Sequence, residues 1–165
     1  MIEQYKKNYS RLKDESGHWH SRAGDLITSA KVLWDSLDKH PFCWNVYKML
    51  MGMAFELLIK AVLTQRNIDF KYTHNLRELA LEAQIKLSEE EFNLLDILSG
   101  YILWAGKYPV PKDDEILKKH YENEEEQLYD EYMRVSDVPL VIYNGKLDFN
   151  NLHEIWMKIL ESYKL

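Results

Sequence analysis

Apolar residues recur three and four positions apart along almost the whole chain, the spacing of one face of an α-helix. In residues 18–37, Leu26, Ile27, Ala30, Leu33, Trp34 and Leu37 make a single stripe. Pro41 pushes His40 out of helical backbone, so residues 38–41 predict a turn. Residues 44–67 predict the longest helix. Tyr47, Met51, Ala54, Leu58 and Ala61 form one apolar row on it, and Val46, Met49, Leu50, Met53 and Leu57 form a second. A helix that is apolar on two sides belongs in the middle of a bundle.

The later helices announce their starts. Asn75 with Glu78 three residues on is a variant capping box and opens a short helix through about residue 84. Ser88 with Glu91 is a standard one and opens a helix through about residue 106. Its rows are Phe92, Leu95, Ser99 and Ile102, then Leu94, Leu98, Tyr101 and Ala105. The stretch KYPVPK stops it, because two prolines hold the chain extended. Residues 113–133 predict an acidic helix. In VIYNGKLDF, Asn144–Gly145 between apolar runs predicts a hairpin turn with very short strands near 141–147. Residues 150–163 predict a last helix carrying Leu152, Ile155, Trp156, Ile159 and Leu160. At the other end, residues 3–14 predict a short amphipathic helix broken by Gly17.

These elements imply an all-α fold: an up-and-down bundle of four to five core helices with a C-terminal helix added. A chain of 165 residues reads as one domain, residues 1–165, able to fold on its own core. Residues 1–17 form an N-terminal arm, about 18–135 the core, and 136–165 the C-terminal turn and helix. Cys43 stands alone, so no intramolecular disulfide forms. The N-terminus is charged from its first residues and reads as no signal peptide. The greasiest stretch, residues 49–63, contains Glu56 and Lys60 and is too short to span a bilayer. A cytoplasmic protein with no membrane attachment is expected.

Charge narrows the partners. Residues 113–132 hold nine acids and two lysines, −7 against −6 for the whole chain, which leaves the remainder at +1. No broad basic footprint exists, so non-specific binding to a phosphate backbone is expected to be weak. The acidic block reads as a solvated helix face or as a surface that repels RNA or attracts a basic partner.

The candidate chemistry is sparse. Glu56 and Lys60 lie one turn apart in the favourable order, and on so apolar a helix they read as a buried structural ion pair. In RNIDFKYTHNLREL, His74 precedes a helix start. It can hydrogen-bond back to the preceding helix and fix the crossing, or help hold a nucleotide phosphate beside free N–H groups, with Arg66 near in sequence. Trp104, Lys107 and Tyr108 offer a π face, a cation and a hydroxyl beside a rigid proline, fit for a base and a phosphate or for closing a core. His18 and His20 are two apart on a helix and point in different directions, so no metal site is expected there, and no cofactor is expected elsewhere.

Three of these features fall in a telling order. Glu56 and Lys60 lie in AFELLIKAVL, then come Thr73, His74, Asn75 and Leu76, then Lys107, Tyr108 and Pro109. The order resembles the HEPN family (higher eukaryote and prokaryote nucleotide-binding domains) over about residues 20–111. The resemblance implies a helical bundle, often a homodimer, with a nucleotide or RNA as ligand. It also implies a prokaryotic defence or toxin–antitoxin setting and a nucleotidyltransferase or antitoxin as partner protein. One branch of the family consists of metal-independent ribonucleases marked by an Arg, four to six residues, then a His near the end of the bundle. Arg66 and His74 have seven residues between them and lie in the wrong joint. Arg11 and His18 have six but lie in the N-terminal arm. No match falls after residue 100. A non-catalytic binding module is therefore expected, with a divergent Arg/His ribonuclease and a ligand-free dimeric scaffold as the alternatives.

Overall fold

A computed structural model describes residues 2–164. Among the described residues, seven α-helices are joined by short connections, with one two-stranded antiparallel ribbon between the last two. Helix α1 (Ile2–Asp14) is followed by α2 (Ser16–Ser36), and the break falls at Glu15, whose backbone is extended. Gly17 therefore lies inside a helix rather than ending one. A single 3₁₀ turn at Pro41–Cys43 leads into α3 (Trp44–Gln65), the central helix.

Helices α2 and α3 pack against each other along most of their length. Ala23 and Ala30 of α2 are fully buried, and side chains this small let the two backbones approach closely. The first predicted row of α3 is buried throughout, from Tyr47 to Ala61. The second is not: Val46 is exposed, and Met49, Leu50, Met53 and Leu57 are half-buried. Phe55, Ile59 and Val62 are instead the second face that α3 buries completely. Against them sit α4 (Leu76–Glu82), α5 (Glu89–Gly100) and α7 (Phe149–Glu161), with Phe55 and Trp156 in ring contact at 6.1 Å.

The caps form as their residues dictate. The Asn75 side chain accepts from the Glu78 N–H, and Ser88 and Glu91 complete a reciprocal capping box. Helix α5 does not simply run on to residue 106. It passes into a π-helical turn, Tyr101–Ala105, closed by the Gly106 N–H on the Tyr101 carbonyl at 3.1 Å. Such turns widen the helix and re-aim its side chains.

The acidic helix α6 (Asp114–Leu128) ends five residues earlier than its apolar spacing suggests. From Tyr129 the chain becomes β1 (Tyr129–Val135), paired with β2 (Val138–Tyr143). The hairpin therefore spans residues 129–143 and turns at Ser136–Asp137, where Ser136 holds the left-handed backbone at φ 57. Asn144–Gly145 is not its turn. The Asn144 N–H closes the base of the ribbon on the Leu128 carbonyl, and its side-chain oxygen accepts from the Lys146 N–H. Gly145, at φ 79, then swings the chain into α7. The hairpin signal of Asn-Gly was outweighed by side-chain bonds that serve a helix entry instead. The expected strands near 141–147 are displaced toward the N-terminus for that reason.

Candidate functional site

The first half of α3, the π-turn, α6 and the foot of the ribbon enclose a cleft of about 610 Å³. Aromatic side chains supply its walls. Trp34 and Trp44 stand 6.0 Å apart, Trp44 stacks on Tyr47 at 5.3 Å, and Tyr143 meets Trp44 edge-on at 6.0 Å. Trp104 and Tyr101 enter from the π-turn, and Tyr108 and Pro109 form part of the rim. Tyr101 and Trp104 lie three apart, the spacing of neighbours on one helix face, and both line the cleft.

Polar groups converge at the base. Lys48, only 5 % exposed, donates to the Tyr101 hydroxyl, which donates in turn to Glu124 Oε1 at 2.6 Å. Lys48 Nζ lies 3.7 Å from the same carboxylate and 3.9 Å from the centre of the Tyr101 ring. Burial brings the Lys48 ammonium down to about 8, against the partial support of Glu124. Burial and the Glu124 charge together push the Tyr101 hydroxyl far above its usual range. His120 stands edge-on to both Tyr101 and Trp104, at 5.3 and 5.2 Å. Its Nε2 is buried with no hydrogen-bond partner, 3.8 Å from Glu124 Oε2. Burial lowers the imidazole's affinity for a proton; Glu124 opposes the shift and Lys48 adds to it.

The arrangement can hold a flat ring between aromatic faces and read its edge with a cation beside a carboxylate. It is poorly suited to a phosphate inside the cleft, because Glu124 and Asp148 both line it. No cluster of three His, Cys, Asp or Glu able to hold a metal ion occurs among the described residues.

The residues singled out in the sequence are divided among three places. Trp104 and Tyr108 line the cleft, and Lys107 lies just outside it, exposed, with Nζ 5.7 Å from the Tyr108 ring. His74 lies elsewhere. Its Nδ1 donates to Glu56 Oε2 at 2.7 Å, while Lys60 Nζ lies 2.6 Å from Glu56 Oε1. Two N–H groups at the start of α4 are also occupied: Leu76 donates to Ser99 Oγ and Glu78 to Asn75 Oδ1. Arg66 donates to the carbonyls of Ala83 and Ser162 and ties α3 to the end of α7. The structure does not bring Arg66 and His74 together. In the arm, Arg11 bonds Asn8, while His18 Nε2 lies 3.2 Å from Glu15. Arg77 and His120 do share the lining of a neighbouring hollow, yet all three Arg77 nitrogens are held by Asp96, Glu89 and Asn93.

Lys48, Glu124 and His120 escaped the sequence reading. A signal was present: Lys48 lies beside Tyr47 in the most apolar helix, one turn before Met51. His120 and Glu124 lie four apart, inside a block that reads as solvent-facing. The place of the His120 ring depends on Gly100, where a Cβ would sit 2.5 Å from His120 Nδ1. Gly100→Ala is expected to push α6 off the bundle and cost about 1–3 kcal/mol. Urea denaturation checks this, and an unchanged midpoint would show that α6 is loosely held.

One comparison with known proteins agrees with this architecture. A family model described as HEPN domain matches residues 17–135, from the start of α2 to the end of β1. Set against curated proteins and against solved structures, the chain has no match.

Proposed function

The chain belongs to the HEPN family, whose members are usually related to nucleotides or RNA, and from that premise we propose a non-catalytic module that seats a nucleotide base in the aromatic cleft. The carrying observation is the Lys48–Tyr101–Glu124 chain at the foot of a space walled by Trp44 and Trp104. Stacking supplies affinity, and a donor beside an acceptor reads the base edge. The phosphate would stay at the mouth, near Lys107, away from the two carboxylates. A single nucleotide or one base of an RNA strand satisfies the same geometry.

The non-catalytic part of the reading is supported by geometry. Arg66 and Arg11 are each engaged away from the cleft, and Arg77, which shares a hollow with the unpartnered His120, has all three nitrogens held by Asp96, Glu89 and Asn93 and none left for a phosphate. We place the module in the cytoplasm, as a homodimer acting with a nucleotidyltransferase or antitoxin in a prokaryotic defence or toxin–antitoxin system. Among the described residues no helix is long and apolar enough to cross a membrane.

Titration of tryptophan fluorescence with nucleosides, mononucleotides and short RNA tests the reading. At least one is expected to quench the signal and raise Tm. Trp104→Ala should then weaken binding by about 1–3 kcal/mol, roughly 5- to 150-fold. No response to any of them would remove the base from the cleft. Labelled RNA incubated in EDTA should stay intact; cleavage that disappears in His120→Ala would replace the module with an enzyme.

A further inference from the structure

Two surfaces of this chain have apolar faces and nothing on them. Helix α1 buries no side chain, and Ile2, Tyr5, Tyr9 and Leu12 are exposed at spacings of three and four, the stripe of an amphipathic helix. The second surface is the ribbon. Its register, with the alternation of a strand, puts Met133, Val135, Val138, Leu140 and Ile142 on one face. All five are exposed. A two-stranded ribbon is marginal in water unless something packs on it. An amphipathic helix laid across its apolar face is what such a ribbon lacks.

The two surfaces do not pack on each other within the chain, since both are exposed. Helix α1 joins α2 at the end of the bundle where Ser16 bonds Tyr163 and Trp19 meets Phe70, beyond the last residues of α3. The ribbon starts at the opposite end, where Tyr143 meets Trp44 at the first residue of α3. The 22 residues of α3 separate them by about 33 Å, and the 13 residues of α1 reach about 20 Å. Charge favours the pairing. Helix α1 holds Lys6, Lys7, Arg11 and Lys13 against Glu3 and Asp14. The ribbon holds Asp130, Glu131 and Asp137 against Arg134, and α6 beside it is strongly acidic.

We propose that a second copy of this chain covers both surfaces, with α1 of each protomer lying on the ribbon of the other. The inference takes up the homodimer of the functional reading and gives it a surface; it does not depend on what the cleft binds. Faces at opposite ends of one bundle are both satisfied when two copies lie antiparallel about a two-fold axis. Each seat then occurs twice, so one seat needs to bury only about half of the roughly 1,600 Å² of a standard interface.

Light scattering on the full chain tests the proposal, with a dimer expected. Leu12→Glu and Leu140→Glu should each give a monomer with an unchanged circular dichroism spectrum, since both side chains are exposed. In a Cys43→Ser background, mixing a Leu12→Cys chain with a Leu140→Cys chain should give a disulfide-linked heterodimer. A wild-type monomer, a dimer indifferent to both glutamates, an open-ended polymer, or no cross-link between the mixed chains would each overturn it. Nucleotide binding by a monomeric variant would leave the cleft intact while the interface stands or falls alone.

Discussion

Glu56→Ala is expected to lose about 3–5 kcal/mol of stability, the range for breaking a buried ion pair by removing one member. Glu56 and Lys60 are 6 % and 3 % exposed, on the helix at the centre of the bundle. Each Glu56 oxygen has a separate partner, Lys60 on one side and His74 on the other. After truncation Lys60 keeps only the Thr73 carbonyl at 3.3 Å and the faces of Phe70 and Tyr72, each 5.7 Å away. Those contacts do not replace a carboxylate for an ammonium out of water. Two controls separate mechanism from packing. His74→Ala should cost only about 1 kcal/mol, because that ring is half-exposed and its bond is one of two to the carboxylate. The double change Glu56→Leu with Lys60→Met should recover most of the loss, since an apolar pair of similar volume needs no desolvation. Equilibrium urea unfolding measures all three. A single-variant loss below about 1 kcal/mol would mean that water reaches Lys60 and that the pair is not what holds the Thr73–His74 segment against α3.

That triad also shows how far a sequence reading reaches. Glu56 and Lys60 were legible because both spacing and surroundings pointed the same way: four apart, charged, on a helix otherwise apolar. Asn75 and Ser88 were legible because capping is local chemistry, settled within three residues. The all-α class followed from periodicity repeated over the whole chain. What stayed hidden was non-local. Lys48 reads as one more helix lysine until α6 closes over it, and His120 reads as a solvent-facing residue among acids until Gly100 admits its ring. The π-turn has no pattern of its own, so the widening of the helix at Tyr101–Ala105 left no trace in the spacing. The ribbon was misplaced because Tyr129–Val135 follows directly on a helix and contains polar residues on both sides. Asn144–Gly145, a stronger turn signal, is claimed by an Asx turn onto Lys146 and by a bond to Leu128 that no local rule contains.

The second large effect concerns Lys48 and pH. The folded protein holds this ammonium at about 8, while the unfolded chain holds a lysine at its ordinary 10.5. Below 8 both states are protonated and the fold bears the full cost of the buried charge. Between 8 and 10.5 the unfolded chain binds the extra proton, so unfolding becomes harder as pH rises. The relief is on the order of 3 kcal/mol across that window. Above about pH 10 the sign reverses. Tyr47, Tyr101 and Tyr143 are all pushed upward by burial, so they stay protonated in the fold while unfolded tyrosines ionise. Stability should therefore climb from pH 7.5 to a maximum near pH 10 and fall beyond it. Lys48→Met removes the climb and leaves the fall. Urea midpoints at four or five pH values between 7 and 11, for wild type and variant, make the comparison. If both proteins trace the same slope between pH 8 and 10, Lys48 is not the titrating group, and the cleft has no buried amine at its foot. If the slopes separate, the same titration bears on binding. A base edge recognised through a lysine proton should lose affinity over the window in which that proton leaves the folded protein, while the stacking contribution of Trp104 stays constant.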